Sequence, residues 1–181
     1  MKWRHLLSAF AFLSCSLPLQ CATLERLSLD DLIAKSTAII RGKAISSHAA
    51  FSGRIIYTHY SIQVSESYKG GAGTVDVAVP GGVADGLRQT ISGAPELQLG
   101  HEYVLFLWTS PSGVTQIIGL TQGLFSMTPG TEQDPAVTRQ ASRELMLGSG
   151  GQPVKDQTLV MRLSELRQRI AGGLASRRQA Q

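Results

Sequence analysis

The stretch Ile55-Ile56-Tyr57-Thr58-His59-Tyr60-Ser61-Ile62-Gln63-Val64-Ser65-Glu66 decides the fold class. Ile56, Thr58, Tyr60, Ile62 and Val64 fill its even positions, while the odd ones are mostly polar. A period of two over that length is a strand with one buried and one wet face. Upstream, residues 38–45 (AIIRGKAI) are apolar and β-branched, with Gly42 marking a bulge, and Phe51-Ser52-Gly53 reads as a turn. Downstream, the glycines of residues 70–73 make a turn before Val75, Val77 and Val79 alternate against Asp76 and Ala78. Pro80-Gly81-Gly82 stops that strand. Residues 83–100 form a loop around a short strand at 87–91, and 102–108 (EYVLFLW) form an apolar run that suits a strand covered on both faces. Residues 114–120 and 123–127 continue the pattern. Residues 38–127 thus hold five principal strands, joined by Gly and Pro turns, which predicts a mainly β fold, a small barrel or sandwich.

The flanks predict helices. Ser28 caps a short N-terminal helix over residues 30–35. After Pro129 the pattern is ambiguous: Asp134-Pro135 can open a helix to Leu147, or 136–138 and 144–147 can be two strands, the reading preferred here. Gly148-Ser149-Gly150-Gly151 reads as a flexible linker. Asp156 then caps an amphipathic C-terminal helix with Leu159, Leu163, Leu166 and Ile170 on one stripe, ended by Gly172-Gly173. The expected organisation is a signal peptide (1–22), a β-barrel domain (23–128), an extension with a Gly-rich linker (129–155), and a C-terminal helix with a basic tail (156–181).

Lys2 and Arg4 precede the apolar run at residues 6–13, and small residues follow. That order is a secretory signal peptide, too short for a membrane span. The chain is therefore expected to be exported from a bacterial cell, to the periplasm or beyond. Cleavage after Ala22 would remove both cysteines and leave 159 of the 181 residues with a net charge of +2 in place of +4, and a cut after Ser16, with small residues at Ser14 and Ser16, is the other candidate. Lipidation at Cys15 or Cys21 is disfavoured, because neither has the small residues and spaced Leu that such a cysteine needs. Residues 137–181 carry eight Lys or Arg against three Asp or Glu, and 23–136 carry seven against ten. The β region is thus acidic, which argues against a nucleic-acid partner.

No cofactor or metal is expected. His101-Glu102 opens like a zinc-binding helix motif, but Leu105 stands where the second His must be. There is no G-x-S-x-G elbow, and the glycines of residues 70–73 lack the Gly-Lys-Ser/Thr of a phosphate loop. His59 lies on the wet face of its strand. Gly81, Gly82, Asp85 and Gly86, with His59, are the candidate binding residues, because loops on rigid barrels carry contacts. The alternative for that loop is a plain turn that needs glycine for its backbone.

Three stretches resemble netrin-like modules and the tissue inhibitors of metalloproteinases. Residues 36–45 (STAIIRGKAI) are similar to their first barrel strand, 57–64 (YTHYSIQV) with Tyr68-Lys69-Gly70 to their second, and 100–107 (GHEYVLFL) to their Gly-x-x-Tyr-Leu-x-Phe strand, with Val104 for the Leu. The resemblance covers about half of the chain after residue 22 and is also seen in exported bacterial proteins. It implies a five-stranded OB-like barrel. Those inhibitors bind the protease zinc through a disulfide-anchored N-terminal cysteine. Cys21 would occupy that place only after cleavage at Gln20, and it has no partner cysteine to anchor it.

The function expected from these readings is an exported, non-catalytic binding module with a protein partner, an extracytoplasmic protease being its most specific form. The alternatives are an envelope-associated protein of structural role that uses the basic helix or a lipid, and an enzyme in which distant residues such as His59, His101 and Asp85 converge.

Overall fold

The alternation read at residues 55–66 belongs to a 15-residue strand. Ile56, Tyr60 and Ile62 are buried and Gln63 and Ser65 exposed, as a half-covered strand requires. The computed structural model describes residues 23–128 and 133–179. The expected signal peptide and both candidate lipidation sites, Cys15 and Cys21, lie outside the described residues.

The chain opens with strand β1 (Thr23–Glu25) and helix α1 (Leu29–Lys35). Ser28 caps α1 as expected: its hydroxyl accepts from the Asp31 amide while Asp31 accepts from the Ser28 amide. Next come β2 (Ala38–Ser52), β3 (Ile55–Lys69), β4 (Thr74–Pro80), β5 (Gly82–Ala84) and β6 (Leu87–Gln89). They are followed by β7 (Glu102–Thr109), β8 (Thr115–Ile117), a 3-10 turn (Leu120–Gly123) and β9 (Leu124–Met127). The last strands are β10 (Ala136–Arg139), β11 (Leu145–Leu147), β12 (Pro153–Val154) and β13 (Leu159–Arg162), before helix α2 (Leu163–Gln179). The fold is mainly β with two helices, as expected.

The main sheet runs β13-β10-β9-β7-β2-β3-β4, with β8 paired to the end of β7. The register of β2 on β3 shifts beside Gly42, the bulge that the sequence marks. One apolar cluster lies inside the curl of β2, β3, β4, β7 and β8, with Ile40, Ile62, Val77, Leu105 and Ile117 among its members. The other covers the opposite face, where Ile33, Val104, Phe106 and Phe125 pack with Leu163, Leu166 and Ile170 of α2. Strand β7 belongs to both: Val104 and Phe106 point to the helices, Tyr103, Leu105 and Leu107 into the curl. Its apolar run is continuous for that reason.

Four sequence expectations need correction. First, the sheets do not close into a five-stranded OB-like barrel, and the described residues hold thirteen strands. Strand β7 shares its second edge between β9 and β8, and the three-residue β8 forms no ladder with β4, so the curl stays open. Second, α2 begins at Leu163, not at Asp156, because residues 159–162 pair with β10. Asp134 caps it instead, accepting from the Ser164 amide at 2.8 Å across 30 residues of sequence. Third, Gly172-Gly173 does not end α2. A Cβ on Gly173 would lie 3.1 Å from Ile33, so this glycine lets α2 pass close to α1. Fourth, Gly148-Ser149-Gly150-Gly151 is the tight turn of the β11–β12 hairpin, closed by the Gly148 amide on the Gln152 carbonyl at 2.9 Å. The two strands preferred near residues 136–147 are present as β10 and β11.

The Arg139 guanidinium holds the Asp156 carboxylate with two hydrogen bonds, at 2.7 and 3.2 Å. Both side chains are shut away from solvent, at 2% and 1% exposed. The Ser142 amide also donates to Asp156, at 2.9 Å. This pair ties the end of β10 to the segment before β13.

Candidate functional site

Asp85 and Gly86 join β5 to β6 with backbone φ of 49° and 76°. Two left-handed residues make the tight turn that matches strand twist, and Asp-Gly is suited to it. Gly81 and Gly82, with φ of 104° and 138°, fold this hairpin back against β2 and β3. A Cβ on Gly82 would lie 2.5 Å from Thr58 Oγ1, so only glycine admits that approach. Side chains then fix it. Thr58 Oγ1 donates to the Gly81 carbonyl at 2.8 Å, and the Ile56 amide donates to Gln89 Oε1 at 2.6 Å.

Beneath the hairpin lies a cleft of about 520 Å³. Its walls include Ser47, Thr58, Tyr60, Arg88, Thr90 and Glu96, together with Gly81 and Gly82. Burial raises the Tyr60 phenol pKa, and the charge of Glu96 adds to the rise against a hydrogen bond at Leu97. At neutral pH the phenol therefore keeps its proton. The two hairpin tips expose Phe51 and Ile55 on one side and Val83 and Leu87 on the other, Leu87 at 62%. Arg88 in the cleft and Arg54 at the β2–β3 tip make no ion pair among the described residues. A cleft of this size with mixed walls suits an extended peptide or a small ligand.

Family models, curated proteins and solved structures give no match to this chain.

Of the residues singled out in the sequence, Gly81 and Gly82 line the cleft, while Asp85 and Gly86 form the tip of its roof and do not line it. His59 is elsewhere. The cleft takes Thr58 and Tyr60 from β3, and His59 between them points to the other face. There its ring stacks on His48, with centroids 5.1 Å apart and planes 15° from parallel, and its Nδ1 lies 2.8 Å from Asp76 Oδ2. His101 lines a separate cleft of about 260 Å³ with Gln98 and Glu102. His59, His101 and Asp85 make no hydrogen bond, ion pair or ring contact with one another. Among the described residues no three His, Cys, Asp or Glu side chains group as a metal cage, and no helix is long and apolar enough to cross a membrane.

A polar network crosses the helix-covered face. Arg167 on α2 binds Glu66 at 2.5 Å, Tyr68 donates to Glu66 at 3.0 Å, and Arg41 binds Glu102 at 2.8 Å. Burial would raise the Glu102 pKa, but hydrogen bonds from Arg41 and Ser65 outweigh it and hold the carboxyl below its ordinary range. The network joins α2 to the sheet.

Sequence reasoning missed Thr58, Tyr60, Arg88 and Gln89 as cleft residues and His48 as the partner of His59. The second omission had a signal. The turn at Gly53-Arg54 pairs Ser52 with Ile55, and counting outward from it sets His48 opposite His59.

Proposed function

We propose that this chain is an exported, non-catalytic binding module that receives a protein partner in the cleft under the β5–β6 hairpin. The observation that carries this reading is the cleft's construction. Its roof is held by backbone and side-chain hydrogen bonds, while the apolar residues Val83 and Leu87 on that roof are left facing solvent. Held walls reduce the ordering cost of binding, and exposed apolar side chains at a rim mark an interaction surface. The resemblance to netrin-like modules and metalloproteinase inhibitors supports an extracytoplasmic protease as the partner. Export itself rests on the pattern of residues 1–22.

A photo-crosslinking side chain placed at Leu87 tests the reading, with one at Gln168 on the exposed face of α2 as the control. The partner captured only from position 87 is then purified and titrated. The expected dissociation constant is about 1 µM or tighter, weakened at least about tenfold by Val83→Asp with Leu87→Asp. Both side chains are exposed, so these changes leave stability within about 0.5 kcal/mol. Equal capture at both positions, or equal binding by the variant, overturns the cleft as the docking site.

A second reading follows from α2. Its stripe of Leu163, Leu166 and Ile170 is buried, and Arg169 and Arg178 face solvent. That basic face supports contact with an anionic envelope surface.

A further inference from the structure

We propose that His48 and His59 form a surface site for a divalent transition-metal ion, with Cu²⁺ the most tightly held. The two residues stand directly opposite on β2 and β3. Side chains so paired leave Cβ atoms about 4.5–5.5 Å apart. Two imidazoles rising from that spacing can reach one ion at about 2.0 Å from each nitrogen. The rings are already neighbours, stacked at 5.1 Å, and His48 is exposed and free to turn toward a shared ion.

Asp76 supplies the second argument. Its carboxylate accepts from His59 Nδ1 at 2.8 Å, so Nδ1 carries the proton and Nε2 of the neutral ring presents a lone pair. A ligating histidine is commonly oriented and made more basic by such a carboxylate. His59 Nε2 and both nitrogens of His48 have no hydrogen-bond partner among the described residues. The site offers two protein ligands, and water completes the coordination. Imidazole suits Cu²⁺, Ni²⁺ and Zn²⁺, and Cu²⁺ binds nitrogen ligands most tightly of these. His59 lies on the face of β3 opposite to Thr58 and Tyr60, whereas His48 also borders the cleft, so the metal site adjoins the proposed docking surface.

The test is a Cu²⁺ titration of the full chain with Cys15 and Cys21 replaced by serine, which removes competing thiols. Electron paramagnetic resonance and the histidine ring signals in NMR report the site. The expected result is one Cu²⁺ per chain with nitrogen couplings from two imidazoles, the His48 and His59 signals broadening first. His48→Ala and His59→Ala each leave one imidazole and weaken binding at least about tenfold, and Asp76→Asn weakens it about tenfold. His5→Ala and His101→Ala leave it unchanged. Full binding by His59→Ala, or loss on His101→Ala, overturns the site. Unchanged affinity in Asp76→Asn overturns the orienting role of the carboxylate.

Discussion

Asp156→Ala lowers the unfolding free energy by about 3–5 kcal/mol, the usual cost of removing one partner from a buried ion pair. The loss strands the Arg139 guanidinium, which is 2% exposed, and leaves the Ser142 amide without its acceptor. For a domain of this size each kcal/mol moves Tm by about 2–4 °C, so calorimetry should show a fall of roughly 6–20 °C. The double variant Arg139→Met with Asp156→Leu recovers part of it, because no buried charge remains. A fall below about 1 kcal/mol in the single variant would show that the pair is hydrated. Acid sharpens the test. Burial pushes the Asp156 pKa up, but the hydrogen bond from Arg139 and the amides of Ser142 and Gln157 outweigh it and hold it low. A carboxyl whose folded pKa lies below its unfolded value of about 3.9 contributes its full stability above that pH. The contribution drains as pH falls through the folded pKa. The gap between parent and Asp156→Ala should therefore hold at neutral pH and narrow below about pH 4.

A chain ending at Arg162 should show no cooperative unfolding at all. It lacks Leu163, Leu166 and Ile170, each buried in the helix-covered core. Each such side chain contributes about 1.5–3 kcal/mol, or roughly 5–9 kcal/mol together. That approaches the whole stability of a typical domain, about 5–15 kcal/mol. The same truncation bares Phe106 and Ile33. Leu166→Ala is the graded form and should cost about 2–5 kcal/mol, while Arg169→Glu on the exposed face should leave Tm unchanged. A truncated chain with the parent's Tm would show that α2 is an appendage. These outcomes also govern the envelope reading, which must be tested by charge reversal on α2 and not by deletion.

Where one face of one element carried the information, the sequence was legible. The alternation of Ile56, Tyr60 and Ile62, the Ser28 and Asp31 cap, and the two-sided run of β7 are each set by neighbours in sequence. Where two distant segments decide together, it was not. Leu159 and Leu163 stand four apart and read as a helix, but residues 159–162 are a strand because β10 is there to pair with them. Asp156 reads as a cap because Ser and Asp commonly cap, and nothing near it reveals Arg139. Gly172-Gly173 reads as a stop because glycine disfavours helices, whereas its role is set by Ile33 on another helix. The cleft was half visible. Gly81 and Gly82 stand out because loops on a rigid scaffold carry contacts, but Tyr60 and Thr58 look like ordinary inward residues of β3. Only the fold-back of β5 and β6 turns that inner face into a wall.

Strand β7 lies between the two cores and is hydrogen-bonded to β2 along one edge and to β9 and β8 along the other. Its amide protons can trade with deuterium only when the whole sheet comes apart. The strands of the β5–β6 hairpin form a ladder only with each other, and a few bonds at Ile56 and Thr58 fasten them to β3, so their amides are expected to exchange sooner. Deuterium would thus enter the hairpin above the cleft before it enters the centre of the sheet, while the bonds from Thr58 and to Gln89 keep the roof in place.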